Sequence, residues 1–205
     1  MSDMSDFLRY AISVVIAYCL GSVSTGLLVA QKAKGPDLRS VGSKNTGASN
    51  VLRTMGWKYG LITFFGDMLK AILACMIAQW LTSSIFGMML AGLAVILGHN
   101  WPVFFGFKGG KGVASSCGVM VCCFPIPAVI CFALTILIIW LTRYISVGSM
   151  SMLILYAIIV SVFYSVGNAC IIVWTFILAA LCVIRHHANI GRLLRHEENK
   201  FHAKV

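Results

Sequence analysis

Long apolar runs alternate with short polar stretches along this chain, and the alternation sets the expected fold. Runs at about 7–30, 59–80 and 85–105 reach the roughly 20 residues that an α-helix needs to cross about 30 Å of hydrocarbon. Segments of that length satisfy their own backbone hydrogen bonds only as helices, so barrel strands are excluded. From 113 to 184 the chain is nearly all apolar, interrupted at Pro125 and Pro127, at Thr142-Arg143-Tyr144 and at Gly167-Asn168. Proline removes a backbone donor and clashes with the preceding turn, so it ends one helix and leaves room for another. Crossings at about 113–124, 127–141, 146–165 and 169–184 bring the total to seven. The pair flanking the prolines is short for full spans, and a five-crossing arrangement, with part of this region re-entrant, is the alternative.

Composition agrees with this pattern. With 60% hydrophobic and 11% charged residues, the chain is expected to be a single all-α polytopic membrane domain over 1–205. The first run is too long for a signal-peptide core and lacks a basic leader, since Asp3 and Asp6 precede it beside Arg9, so it reads as a retained span. The eight cysteines lie in apolar segments without metal-ligand spacing, which points to packing thiols and to no metal or other cofactor.

A net charge of +10 would suggest nucleic acid in a soluble protein, but here the placement of the charges decides. The polar segment 31–58 carries Lys32, Lys34, Arg39, Lys44, Arg53 and Lys58 against Asp37, and the tail carries Arg185, Arg192, Arg195, Lys200 and Lys204. The positive-inside rule puts both in the cytoplasm and the N-terminus outside. An even number of crossings then separates the tail from the patch after 105, which seven spans satisfy. All of the 16 Lys and Arg except Arg9 and Lys70 fall on that one face, so the partner is the bilayer and its phosphorylated solutes, not nucleic acid.

Three segments on that face carry candidate chemistry. In Phe105-Gly106-Phe107-Lys108-Gly109-Gly110-Lys111-Gly112, glycines let backbone N–H groups turn toward an anion and two lysines add charge. It is not a nucleotide P-loop, because Phe105 stands at the first glycine position and Gly112 where Ser or Thr belongs. In Gly42-Ser43-Lys44-Asn45-Thr46-Gly47-Ala48-Ser49-Asn50-Val51-Leu52-Arg53, hydroxyl, amide and guanidinium groups suit an oxyanion. The bland alternative there is a solvated loop with Ser43 or Asn45 capping a helix. In the tail, a helix through Arg185, His186, Asn189 and Arg192 would gather those side chains on one face. Arg195, Lys200 and Lys204 read as a lipid-surface anchor. Within the second span, Asp67 and Lys70 are three residues apart and can pair as supports for the site, with His99 and Asn100 as further polar groups at the end of the third.

Taken together, Gly42-Ser43-x-Asn45-x-Gly47-Ala48-x-Asn50-Val51-x-Arg53, Gly98-His99-Asn100 leading to Phe107-Lys108-Gly109-Gly110-Lys111-Gly112, and Arg185-His186-x-x-Asn189-Ile190-x-Arg192 form an ordered set. The set resembles the bacterial acyl-phosphate:glycerol-3-phosphate acyltransferase family. The resemblance implies transfer of a fatty acyl group from acyl phosphate to the 1-hydroxyl of glycerol 3-phosphate, giving lysophosphatidic acid and phosphate without metal or cofactor. It implies a multi-pass enzyme of the bacterial inner membrane with a cytoplasmic active site, coupled in function to an enzyme that makes acyl phosphate. It further implies that Ser43 and Arg53 are essential and that Gly109, Gly110, Lys111 and Gly112 form the phosphate site, with Lys108 in support. On the same basis His186 and Asn189 act in the third motif and Glu198 is a structural acid, with Glu197 beside it as the other choice. Ala71, Ser49 and Ser116 stand where the family more often has glycine and threonine. A non-catalytic organic-phosphate transporter is the rival class. Against it stand the one-sided placement of the polar groups and the lack of an inverted repeat.

Overall fold

A computed structural model describes residues Ser2–Phe201, and Lys204 of the basic tail lies outside them. The described residues are helical with no strand, and they fall into two compact units that meet in sequence at Cys123 and Phe124.

The first unit begins with α1, Ser2–Ser22, and α2, Thr25–Lys32. The single first span expected from hydropathy is therefore two helices, separated at Val23-Ser24, where Ser24 is extended. A charge from elsewhere accounts for the break: Val23 lies outside both helices, and its carbonyl accepts a hydrogen bond from Lys70 Nζ at 2.6 Å. A short helix, α3 (Ala48–Met55), lies in the polar segment and leads through Gly56 to α4, Trp57–Thr82. The helix α5, Ile85–Asn100, is followed by a 3-10 turn at Val103–Phe105 and then by α6, Val113–Cys123. Two glycines bring α1 and α5 into backbone contact, because a Cβ on Gly21 would collide with the Val95 carbonyl and one on Gly98 with the Tyr18 carbonyl. Such small-residue contacts substitute for the hydrophobic drive that lipid removes.

The second unit comprises α7, Pro125–Thr142; α8, Ile145–Phe163; α9, Ala169–Arg185; and α10, His187–Leu194. The expected start of α7 at 127 moves to Pro125, since a proline in the first turn gives up an N–H that has no helical partner anyway. Arg143 in the left-handed region turns α7 into α8. Tyr156, Leu153, Val160 and Leu178 are buried in the core of this unit.

Five stretches among the described residues are long and apolar enough to cross a membrane, and α9 with α10, bent by 58°, makes a sixth. The remaining expected crossing, 113–124, is the 11-residue α6. At 1.5 Å per residue it covers about 16 Å, roughly half the hydrocarbon thickness. The protein is thus a helical multi-pass membrane protein, with five or six crossings supported by length and composition.

Candidate functional site

Chemistry-bearing side chains gather at separate places in the two units. In the first, Asn50 is the hub of the polar segment. Its Oδ1 accepts from the Ser43 backbone N–H at 2.8 Å, while Nδ2 faces the carbonyls of Leu38, Val41 and Asn45 at 3.1, 3.2 and 2.8 Å. Asn45 Oδ1 in turn accepts from Gly47 N–H at 2.9 Å. The Asn50 amide is committed to folding the loop and placing Ser43, which is half-buried, while Asn45 gives its Oδ1 to Gly47, the N-cap that starts α3. Arg53 is exposed, three residues along α3 from Asn50.

The glycine-lysine patch is built on the end of α5. Phe107 N–H donates to the Pro102 carbonyl at 2.9 Å and Gly110 N–H to the His99 carbonyl at 3.0 Å. Gly112, at φ +78°, then turns the chain into α6, whose first-turn N–H groups have no partner within the helix. Such an N-terminus attracts anions through donors and dipole together. Lys111 stands half-buried at that entrance, and Lys108 is exposed. The fully buried Asn100 side chain lies against Gly112 and makes no hydrogen bond among the described residues.

Behind the patch sits a buried polar cluster. Lys70 Nζ lies 2.8 Å from Asp67 Oδ1, an ionic contact whose alignment falls short of a hydrogen bond. It also lies 2.6 Å from the Val23 carbonyl and 3.1 Å from His99 Nδ1. The pairing of Asp67 with Lys70 expected from their spacing is present, and His99 belongs to the same cluster.

In the second unit, α9 ends at Arg185 and the chain bends at His186. The continuous helical face expected for Arg185, His186, Asn189 and Arg192 is therefore broken: Asn189 and Arg192 share α10, while Arg185 belongs to α9. His186 is buried, and its Nδ1 lies 2.8 Å from the Cys182 carbonyl. A carbonyl only accepts, so Nδ1 carries a proton.

Glu198 is the acid that the tail folds around. It accepts from Asn189 Nδ2 at 2.6 Å, from Arg192 Nε at 2.7 Å and from Ser146 Oγ at 2.9 Å. Burial would raise its pKa, but the hydrogen bonds from Asn189, Arg192 and Ser146 outweigh that and hold the carboxyl below its ordinary range. Glu197 instead pairs with Arg195 on the surface. Ser146 and the Val23 carbonyl had no signal in the sequence beyond a small polar residue early in a span and a serine-rich break.

Comparison with known proteins gives a consistent result. The family profile described as glycerol-3-phosphate acyltransferase matches residues 11–196. A glycerol-3-phosphate acyltransferase of Thermoanaerobacter sp. strain X514 is 37% identical over 197 residues, covering 96% of this chain and 98% of the relative. One from Clostridioides difficile strain 630 is 38% identical over 204 residues, covering 97% and 98%. The crystal structure of PlsY (YgiH), an integral membrane glycerol 3-phosphate acyltransferase, in its glycerol 3-phosphate form superposes with a TM-score of 0.87 at 40% identity, covering 94% of this chain and 96% of that one. Its lysophosphatidic acid form gives 0.85 at 38% identity, covering 94% and 95%.

Proposed function

The chain belongs to the glycerol-3-phosphate acyltransferase family, and on that premise we propose that it transfers a fatty acyl group from acyl phosphate to the 1-hydroxyl of glycerol 3-phosphate. The products are lysophosphatidic acid and inorganic phosphate. The observation that carries this reading is the patch: Gly110 and Gly112 buried under a half-buried Lys111, opening onto the N-terminus of α6. That arrangement suits a phosphate monoester or acyl phosphate and has no Walker lysine-hydroxyl pair for a nucleotide.

Acyl phosphate is a mixed anhydride, so its carbonyl is already activated. The hydroxyl oxygen of glycerol 3-phosphate attacks the carbonyl carbon, the carbon–oxygen bond to phosphorus breaks, and phosphate leaves. The protein has to align the two phosphorylated substrates and stabilise the charge that shifts between them. Ser43, Arg53, Lys111 and the backbone of Gly109 and Gly112 take the phosphates, with Gly110 shaping the turn through its bond to the His99 carbonyl and Lys108 in support. Asn45, Gly47 and Asn50 shape the Ser43 loop. In the second unit, Glu198 orients Asn189 and Arg192, and His186 with Asn189 orients the glycerol moiety. The hydroxyl proton passes to substrate phosphate, so His186 orients and does not act as base. His186→Gln would then keep near-normal turnover with acyl phosphate, and a collapse of turnover would return the base role to histidine.

Seven crossings place the N-terminus outside and all three motifs on the cytoplasmic side of a bacterial plasma membrane. The basic segments on one face support this topology, with α6 as a short seventh crossing. An enzyme that makes acyl phosphate supplies the donor. The test is direct: purified protein given synthetic acyl phosphate and glycerol 3-phosphate releases phosphate in proportion to lysophosphatidic acid formed. No release from folded protein overturns the reading.

A further inference from the structure

The ammonium of Lys70 meets three acceptors: the Asp67 carboxylate, the Val23 carbonyl and His99 Nδ1. An ammonium has three donors and no acceptor, so the 3.1 Å approach of His99 Nδ1 is possible only if that nitrogen accepts. The other partner within reach of Nδ1, Asp67 Oδ1, is 3.6 Å away, too long to draw a proton there. In the neutral ring the proton is therefore on Nε2. That edge faces the glycine patch, because a Cβ on Gly110 would collide with Nε2, Cδ2 and Cε1 of His99. The same residue holds the patch through its backbone, where the His99 carbonyl accepts from Gly110 N–H at 3.0 Å.

We propose that His99 is a positioning residue for the anion patch. Lys70 locks its ring in the tautomer that turns an N–H edge against Gly110, and a buried ion pair thereby sets the shape of the phosphate cradle. The proposal rests on the reading of the patch as a phosphate site. It adds that Asp67, Lys70 and Val23 reach the substrate only through the His99 ring. Without a side chain at residue 110 the ring can lie directly under the backbone, which gives Gly110 a steric reason distinct from backbone freedom.

The two ends of the ring can be separated by substitution. Asparagine places an acceptor near Nδ1 and keeps the contact with Lys70, but it does not reach Gly110. Glutamine places an N–H near Nε2 and supports the patch, but it leaves Lys70 one acceptor short. For His99→Asn we expect a thermal midpoint close to wild type, a KM for one of the two phosphorylated substrates raised about tenfold with kcat changed less than about threefold, and faster amide exchange over 106–116. For His99→Gln we expect the converse, a lowered thermal midpoint with near-normal KM and exchange. Identical behaviour of the two variants, or unchanged KM and exchange in His99→Asn, overturns the proposal. If neither variant folds, Gly110→Ala displaces the ring in an otherwise intact cluster. Faster exchange over 106–116 at an unchanged thermal midpoint then supports the proposal, and unchanged exchange overturns it. Hydrogen exchange needs no substrate, so it decides the role of His99 even if wild-type protein fails to turn over acyl phosphate with glycerol 3-phosphate.

Discussion

The two units solve opposite versions of one problem. In the first, a buried cation, Lys70, is surrounded by three acceptors from α4, α5 and the α1–α2 break. In the second, a buried anion, Glu198, is surrounded by three donors from α8 and α10. The Lys70 cluster ties membrane-spanning helices together in the apolar interior, where an unpaired charge is costly. The Glu198 cluster closes a tail back onto a short surface helix. One hub thus ties spans to one another and the other ties the tail to α8 and α10. Loss of the first hub should therefore cost more stability than loss of the second.

Lys70→Met tests that contrast most severely, because it strands Asp67 without a partner. The expected loss is about 3–5 kcal/mol, read as a large fall in the thermal midpoint in detergent, with partial recovery in Asp67→Asn/Lys70→Met. A loss no greater than that of the Glu198 variants would remove the contrast. Glu198→Ala breaks three hydrogen bonds and should cost about 1.5–3 kcal/mol, with faster hydrogen exchange over 186–201 and impaired turnover. Linkage gives the pH dependence of the same hub. The folded-state pKa of Glu198 lies below its ordinary 4.5, so its contribution is fully present above that value and disappears as pH falls through the folded pKa. Acid titration of stability should flatten in Glu198→Gln below about pH 4.5, and an unchanged acid limb would show that the carboxylate is not responsible. Ser146→Ala removes one of the three donors and should cost about 1 kcal/mol, with intermediate exchange over the same segment. Glu197→Gln touches only an exposed ion pair with Arg195 and should change stability by less than about 0.5 kcal/mol. A larger effect would mean that the two acids share the role assigned to Glu198.

Much of this architecture was legible because hydrocarbon imposes a simple rule on length and polarity. Proline at 125, the polar break at Arg143 and Gly167-Asn168 marked turns that the helices respect. The break at Val23-Ser24 was not legible, because the residue that takes the Val23 carbonyl is 47 positions away at Lys70. Candidate site residues stood out for the same reason as the turns, being polar or glycine against an apolar background. Their tasks did not. Asn50 looked like a ligand group, yet every polar atom of its side chain serves the loop that carries Ser43. The bend at His186 removed Arg185 from the face that helical spacing had assigned it. The choice between Glu197 and Glu198 depended on how the tail returns to Ser146, which no local pattern encodes.

The order in which a ribosome delivers the chain gives the Glu198 hub a further meaning. The Lys70 cluster has all its members once His99 has been made, so the first unit can settle while the second is still being synthesised. Asn189 and Arg192 gain the carboxylate they share only when residue 198 has been made. A chain truncated before residue 198 therefore lacks the carboxylate that Asn189 and Arg192 both bind. Synthesis of residue 198 is then the step that brings Asn189 and Arg192 the acid they share.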